Sequence, residues 1–251
     1  MVAEIVATGG SAVADQNDVS SVGGANALVR AAIDRFGRVD ALINNAGIIR
    51  WAGMPDADAE NLQQHLAVHV AGSFNTARAV WPYMAEAGYG RIVMTTSAGV
   101  FGLPANTSYA AAKGAVIGLT RSMAVTGRKK GVKVNAIAPA AATRMGMPDD
   151  AETAQAMAPE LVAPMAAYLA HEDCPVTGEI YVAGAGRFSR LLLATTPGYL
   201  HEGAAPTIED VAASWATIND ESGYYVPADL IRWSAEFLSH LPADSAPEAP
   251  A

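Results

Sequence analysis

Tyr109 and Lys113 stand four residues apart in "TSYAAAK" (107–113), with only alanines between them. On a helix, residues i and i+4 share a face one turn apart. A free phenol titrates at about 10 and is a poor base at neutral pH. A neighbouring ammonium favours the phenolate and lowers that value. Such a pair can take the proton of a substrate hydroxyl or give one to a carbonyl. About 0.1 pairs of this kind arise by chance in such a chain, so the pair alone is only suggestive. Thirteen residues before Tyr109 lies Thr96, in "VMTTSAGVFG", and Ser97 follows it. Either hydroxyl can hydrogen-bond a substrate oxygen. His65 and His69 form a rival constellation, two imidazoles one helical turn apart that could share a metal. No HExxH pattern and no third ligand accompany them, and no metal is expected.

These residues need elements to hold them. "SAVAD" (11–15) is a short, mostly apolar segment after a Gly-Gly turn and reads as a strand. Ser20 or Ser21 can cap a helix through Arg35 that stops at Gly37. "VDALINNAG" (39–47) is a continuous apolar run ending in turn residues, the pattern of a strand buried on both faces. A long helix follows with Leu62, Leu66, Val70, Phe74, Ala77 and Trp81 on one stripe. "RIVMTTS" (91–97) reads as a strand and 107–126 as a helix with Val116, Leu119 and Met123 inward. "GVKVNAIAP" (131–139), a helix around 158–170 and "GEIYVA" (178–183) complete the alternation.

Strands alternating with helices imply right-handed βαβ units and a parallel sheet covered on both faces. Ligands of such sheets bind at the carboxyl ends of the strands. "NNAG", "TTSAG" and "APAAATRM" all lie just past strand ends and therefore share one rim. Trp51, Phe101 and Met145 lie near that rim, where a plain core role is an equal alternative. Past Gly186 the alternation stops. Two helices are expected at 207–218 and 228–241, the first opened by a loose Thr207/Asp210 capping box, before a Pro/Ala/acid-rich tail expected to be disordered.

A net charge of -9 argues against nucleic acid and anionic membrane as partners. No apolar run reaches the roughly 18 residues of a membrane span. "MVAEIVATGG" has no basic region preceding an apolar stretch and does not read as a signal peptide. The single cysteine, Cys174, excludes an internal disulfide and reads as a small buried hydrophobe. The expectation is a cytoplasmic protein.

In order, spacing and context, "NNAG", "TTSAG", "YAAAK" and "VNAIAPAAATRM" resemble the short-chain dehydrogenase/reductase family, over about residues 4 to 187. "AVHVAGSFNTARAVWPYM" and "YLAHEDCPVTGEIYVAGAGRFSR" are closer to the (3R)-hydroxyacyl-CoA dehydrogenase units of peroxisomal multifunctional enzymes. The resemblance implies a Rossmann-like doubly wound sheet over residues 1–186 and a helical extension over 187–251. It implies an oxidoreductase using NAD or NADP on a small-molecule alcohol or ketone, a 3-hydroxyacyl thioester or bulky hydroxy lipid among the candidates. It makes Tyr109 the general acid/base, and it has Lys113 hold the nicotinamide ribose and lower the tyrosine's pKa. Thr96 takes the place of the usual serine, with Ser97 as the substitute. His69 stands where the family has asparagine, with a proton relay and an ordinary helix-face hydrogen bond equally open. Asp18 matches the adenine contact, or else caps a helix. Asn44, Ala46 and Gly47 match the segment that lines the cofactor, Pro139 the end of a later strand, and Thr143 the residue near the nicotinamide amide or phosphates. Homodimers or homotetramers through the two long helices are implied, compatible with the alanines at 110–115.

One family element is absent. "ATGG" (7–10) fails the Gly-rich pattern because Val13 and Asp15 occupy glycine positions, and "GAGRFS" (184–189) comes too late. A Gly-rich turn presents backbone N–H groups and a helix N-terminus to the pyrophosphate. "MVAEIVATGG" matches the family's second helix, so the first strand, first helix and second strand are missing from the match. The expectation is a truncated sheet with "VDALINNAG" as an exposed edge, and no dinucleotide binding by this chain. A start site called too far downstream, or a non-catalytic remnant, would each account for it. Micromolar binding of NAD or NADP in isothermal titration would overturn that expectation.

Overall fold

The apolar runs become neighbouring parallel strands. In the computed structural model, which describes residues 1–143, 145–146 and 150–241, the elements begin with helix α1 (Val2–Ala7), helix α2 (Val22–Phe36) and strand β1 (Ala41–Asn44). Then come α3 (Ala59–His65), a π-helical turn (Leu66–Ala71), α4 (Gly72–Ala87), β2 (Gly90–Thr95), α5 (Thr107–Gly127) and β3 (Val132–Ala140). Short helices α6 (Ala151–Ala156) and α7 (Ala163–Leu169) precede β4 (Ile180–Gly184) and β5 (Arg187–Leu191). The five strands lie in the order β1-β2-β3-β4-β5, and β1 to β4 are parallel. Only two residues separate β4 from β5, a link that permits antiparallel pairing alone.

Burial follows the pattern of a sheet covered on both faces. Every residue of β2 is buried, and β3 is buried over most of its length. On one side Val93, Ile137 and Ala183 pack with Val162, Leu169 and Cys174. On the other, Ala77, Val80 and Met84 of α4 and Ala112, Val116, Ile117 and Ala124 of α5 are buried. Each large apolar side chain so buried contributes about 1.5–3 kcal/mol. Arg91 interrupts the apolar run of β2 yet is only 5% exposed. Its guanidinium donates to the carbonyls of His171, Glu172, Gly90 and Gly131 and lies 4.2 Å from the Tyr89 ring centroid. Four hydrogen bonds from one planar group thus tie the amino ends of β2 and β3 to the turn after α7. Gly131 opens β3 at φ 70°, and a Cβ there would lie 1.9 Å from the Gly88 carbonyl oxygen. Only glycine permits that backbone crossing.

Several expectations are corrected. "SAVAD" is not a strand; residues 11–15 run as irregular, mostly exposed chain. Among the described residues it pairs with no strand. β5 was not foreseen, because "RFSRL" is polar and exposed along its length. Ser21, and not Ser20 or Asp18, caps α2, accepting from the Gly24 N–H at 3.0 Å. The apolar stripe of the long helix does not face the sheet: Leu62, Leu66 and Phe74 are exposed, while His65, His69, Ser73 and Thr76 point inward with Ala77. The inward polar groups are tolerated because most are hydrogen-bonded. Leu119 and Met123 are likewise only half-buried, and the inward face of α5 runs through Lys113, Val116 and Thr120.

β1 forms the edge of the described sheet and alternates exposed and half-buried residues. Ile43 is 48% exposed. Among the described residues nothing pairs with its outer side. A cavity of about 180 Å³ lies along it, lined among others by Val19, Leu28, Leu42 and Ile43.

The chain divides into two units, Met1–Arg190 and Leu191–Ala251. The second contains α8 (Ile208–Ala213), α9 (Trp215–Ile218) and α10 (Leu230–Phe237). Thr207 and Asp210 form a complete capping box at α8, tighter than the sequence suggested. Trp233 stacks on Phe237 with ring centroids 4.7 Å apart. The Pro/Ala-rich tail (242–251) and Arg144 lie outside the described residues. Among the described residues no helix is long and apolar enough to cross a membrane.

Candidate active site

β1, β2 and β3 end side by side, and the chain leaving each strand forms the rim on which the polar residues gather. Tyr109 sits in the first turns of α5, half-buried, with Lys113 one turn on and only 3% exposed. The Lys113 Nζ donates to the Thr95 carbonyl at 2.7 Å and stands 5.5 Å from the Tyr109 ring centroid. Burial pushes the Lys113 ammonium down to about 8.

The two candidate hydroxyls separate cleanly. Thr96 is 1% exposed, and its Oγ1 donates to the Lys113 carbonyl at 2.8 Å, pinning α5 to the end of β2. Ser97 is half-buried; its Oγ accepts from the Gly99 N–H at 3.0 Å and comes near enough to the Tyr109 phenol to lower its pKa. Spacing alone favoured Thr96, but Ser97 is the hydroxyl at the phenol.

The expected lowering of the Tyr109 pKa is not seen. Burial pushes the phenol up, and the nearby Ser97 hydroxyl offsets this only in part. Lys113 sits over the ring face and spends its bond on Thr95, so its charge acts elsewhere. It falls on His69, which is held down at about 4, first by burial and then by the Lys113 ammonium. His69 is therefore neutral at pH 7.

His69 is 1% exposed, on the π-helical turn, with its ring edge-on to Tyr109 at 5.4 Å between centroids. π turns recur at functional sites. Its Nε2 lies 2.8 Å from the Ile48 carbonyl, and its Nδ1 is buried with no hydrogen-bond partner. The Thr95 Oγ1 is orphaned in the same way. Gly47 lies against this ring, where a Cβ would come within 2.7 Å of its Cε1. His65 stacks on His69 at 6.0 Å, and each ring bonds a different backbone group, so the pair does not converge on a shared ligand point. Among the described residues no three His, Cys, Asp or Glu cluster for a metal.

The remaining residues stand apart from this cluster. Asn44 ties β1 to α4, its Nδ2 donating to the Ser73 carbonyl and its Oδ1 accepting from Thr76. Ala46 lies in the loop beyond, beside the cavity along β1. Asp18 accepts from the Ser20 N–H and hydroxyl, bonds that hold its carboxyl below the usual range. Pro139 sits half-buried near the end of β3. Thr143 accepts from the Met145 N–H within its own loop. Trp51, Phe101 and Met145 are 55%, 77% and 41% exposed, which removes the core alternative for each. Sequence reasoning passed over Asn61 and valued His65 only as a metal ligand; the i, i+4 histidine spacing was the one visible signal.

This parallel α/β sheet, with a Tyr-Lys pair and a serine at its rim, defines a short-chain dehydrogenase. The short chain dehydrogenase family model matches residues 1–154, and the chain belongs to that family. It is 40% identical over 227 residues to a Mycobacterium tuberculosis protein named as a short-chain type dehydrogenase/reductase, covering 89% of this chain and 78% of the other. It is 38% identical to mouse peroxisomal multifunctional enzyme type 2, covering 92% of this chain but 31% of that protein. The full-length Drosophila melanogaster enzyme of that name superposes with a TM-score of 0.82 at 31% identity, covering 96% of this chain and 42% of that one. Enzymes of this family generally use NAD(P).

The site fits one end of such a dinucleotide. Lys113 has two ammonium protons left after its bond to Thr95, and the Thr95 and His69 orphans lie at the same rim. That suits the nicotinamide ribose. For the diphosphate, the described residues offer no Gly-rich cradle beside β1.

Proposed function

We propose that the chain is an NAD(P)-dependent oxidoreductase that interconverts a secondary alcohol and a ketone, with Tyr109 exchanging the proton. The observation that carries this is the convergence of Tyr109, Ser97 and the buried Lys113 at one rim, with Ser97 near enough to the phenol to lower its pKa. Ser97 orients the substrate oxygen, and Thr96 keeps α5 in place. Lys113 holds the ribose hydroxyls, and the His69 Nδ1 accepts a proton through water. Asp18, Asn44, Ala46, Gly47, Pro139 and Thr143 are assigned to the dinucleotide. When bound, the nicotinamide supplies or accepts the hydride. A 3-hydroxyacyl thioester or bulky hydroxy lipid suits the exposed Trp51, Phe101 and Met145, and the name of one relative, 3-oxoacyl-(acyl-carrier-protein) reductase, points toward the thioester.

A second reading, a chain that cannot hold the dinucleotide, draws on the unpaired edge of β1 and the missing cradle. Family membership favours the first. The expected result is weak dinucleotide binding in isothermal titration, with nicotinamide oxidation on adding a 3-oxoacyl thioester at high cofactor. No turnover of 3-oxoacyl thioesters or simple ketones at any cofactor level would decide for the second reading.

The outer faces of α4 and α5 carry exposed Phe74, Tyr83 and Val125, and Phe74 and Tyr83 line a cavity of about 680 Å³ with Met123. Gly114 and Gly118 leave open space on α5. This outward apolar stripe is assigned to a second copy of the chain, giving a homodimer or homotetramer. Phe74→Glu is expected to produce monomers in light scattering with unchanged circular dichroism; an unchanged mass would remove this face from the interface.

A further inference from the structure

We infer that His65 is a positioning residue of this site: with His69 it forms a two-histidine clasp that holds the chain segment Ile48–Arg50 and fixes the ring that faces Tyr109. The segment follows β1 but joins no strand. Its backbone groups still require partners. The Ile48 carbonyl accepts from His69 Nε2 at 2.8 Å, with the Ile48 N–H 3.3 Å from the same nitrogen. The Arg50 N–H donates to His65 Nε2 at 3.2 Å, and the Arg50 carbonyl accepts from Asn61 Nδ2 at 3.1 Å. The two rings, four residues apart in sequence, stack at 6.0 Å and bond backbone groups two residues apart on the segment.

The partners fix opposite tautomers. His65 Nδ1 lies 2.7 Å from the Asn61 carbonyl, so Nδ1 carries the proton and the bare Nε2 accepts from Arg50. The closest partner of His69 Nε2 is a carbonyl, so Nε2 carries the proton and Nδ1 presents a lone pair, buried and unpartnered. Both rings meet Tyr109 edge-on, at 6.1 and 5.4 Å. His65 meets the Tyr109 ring edge-on but hydrogen-bonds no reacting atom in the proposed chemistry. It acts through the segment and through the stacked ring, on a π turn whose own backbone ladder is already interrupted.

The test compares His65→Leu, which keeps bulk but accepts no hydrogen bond, with His65→Gln, which restores an acceptor and a donor. In the full chain, Leu is expected to speed amide exchange at Ile48 and Arg50 by about tenfold, with Met94 and Ala136 unaffected. Ring-nitrogen NMR is expected to show His69 passing from one tautomer to a mixture, and Gln is expected to restore both readings. The kinetic arm rests on the proposed oxidoreductase function: with a 3-oxoacyl thioester, Leu lowers kcat by about tenfold at unchanged KM, and Gln recovers most of it. Unchanged exchange and tautomer in His65→Leu overturn the clasp. Equal losses in Leu and Gln, with protection lost across the whole sheet, mark a merely structural histidine and overturn the positioning role. A wild-type chain without turnover refutes the oxidoreductase reading, while the two NMR readings still decide the clasp.

Discussion

Tyr109→Phe is expected to lower kcat by about a thousandfold while leaving dinucleotide affinity unchanged, the scale of a lost general acid/base. Phe preserves the ring that meets His65, His69 and the Lys113 ammonium, so the packing around it stays intact. What disappears is the hydroxyl and its approach to Ser97. Ser97→Ala should then cost turnover by about a hundredfold, since it removes the hydroxyl beside the phenol. Thr96→Val should instead cost about 0.5–1.5 kcal/mol of stability, because the bond pinning α5 to the end of β2 is lost while the Lys113 carbonyl keeps its helical partner. Steady-state kinetics and urea unfolding on the three variants separate these outcomes. A Tyr109→Phe enzyme retaining more than about a tenth of wild-type kcat would move the proton transfer to another group. A Thr96→Val enzyme with normal stability and little turnover would return the substrate hydroxyl to Thr96.

The contrast between Thr96 and Ser97 shows where the sequence stops speaking. The strands at the rim were legible from the apolar runs in "RIVMTT" and "VKVNAIAP", but "VDALIN", read as buried on both faces, is the edge strand with alternate residues exposed. The helix end at Gly37 was legible for a local reason, a left-handed residue that glycine supplies cheaply. Which of two adjacent hydroxyls meets Tyr109 depends on how the chain turns after β2, and one residue of rotation reverses it. The inward face of the long helix was misread because hydrophobicity was taken to mean core. His65, His69 and Thr76 face inward since backbone and side-chain partners wait for them there, and those partners come from distant segments. The direction of the Tyr109 shift was misjudged for a related reason. A Tyr-Lys spacing states that a charge is near, but not whether the ammonium points at the oxygen or at a carbonyl.

Lys113→Met is expected to yield a chain more stable at pH 7 and nearly inactive. The folded Lys113 titrates at about 8 against an ordinary value of 10.5. The unfolded chain therefore binds more protons between those values, and stability rises with pH through that window. At pH 7 the whole cost of burying the ammonium is felt, roughly 3 kcal/mol. Met removes that cost but leaves the Thr95 carbonyl without its donor, worth about 1–2 kcal/mol. The net gain at pH 7 is then about 1–2 kcal/mol. Above pH 10.5 the neutral lysine costs nothing and still donates its hydrogen bond, so wild type becomes the more stable. The two stability curves should cross inside the window, which urea unfolding at pH 7 and at pH 10.5 measures directly. Activity should follow the charge in the other direction: wild-type turnover declines as pH passes 8, and the Met variant has lost about a hundredfold already at pH 7. A Met variant less stable than wild type at pH 7 would mean that the ammonium is better compensated than its burial implies. Retained activity would remove Lys113 from the site. A stability cost borne at neutral pH for a charge that only the chemistry needs is the expected signature of a functional lysine.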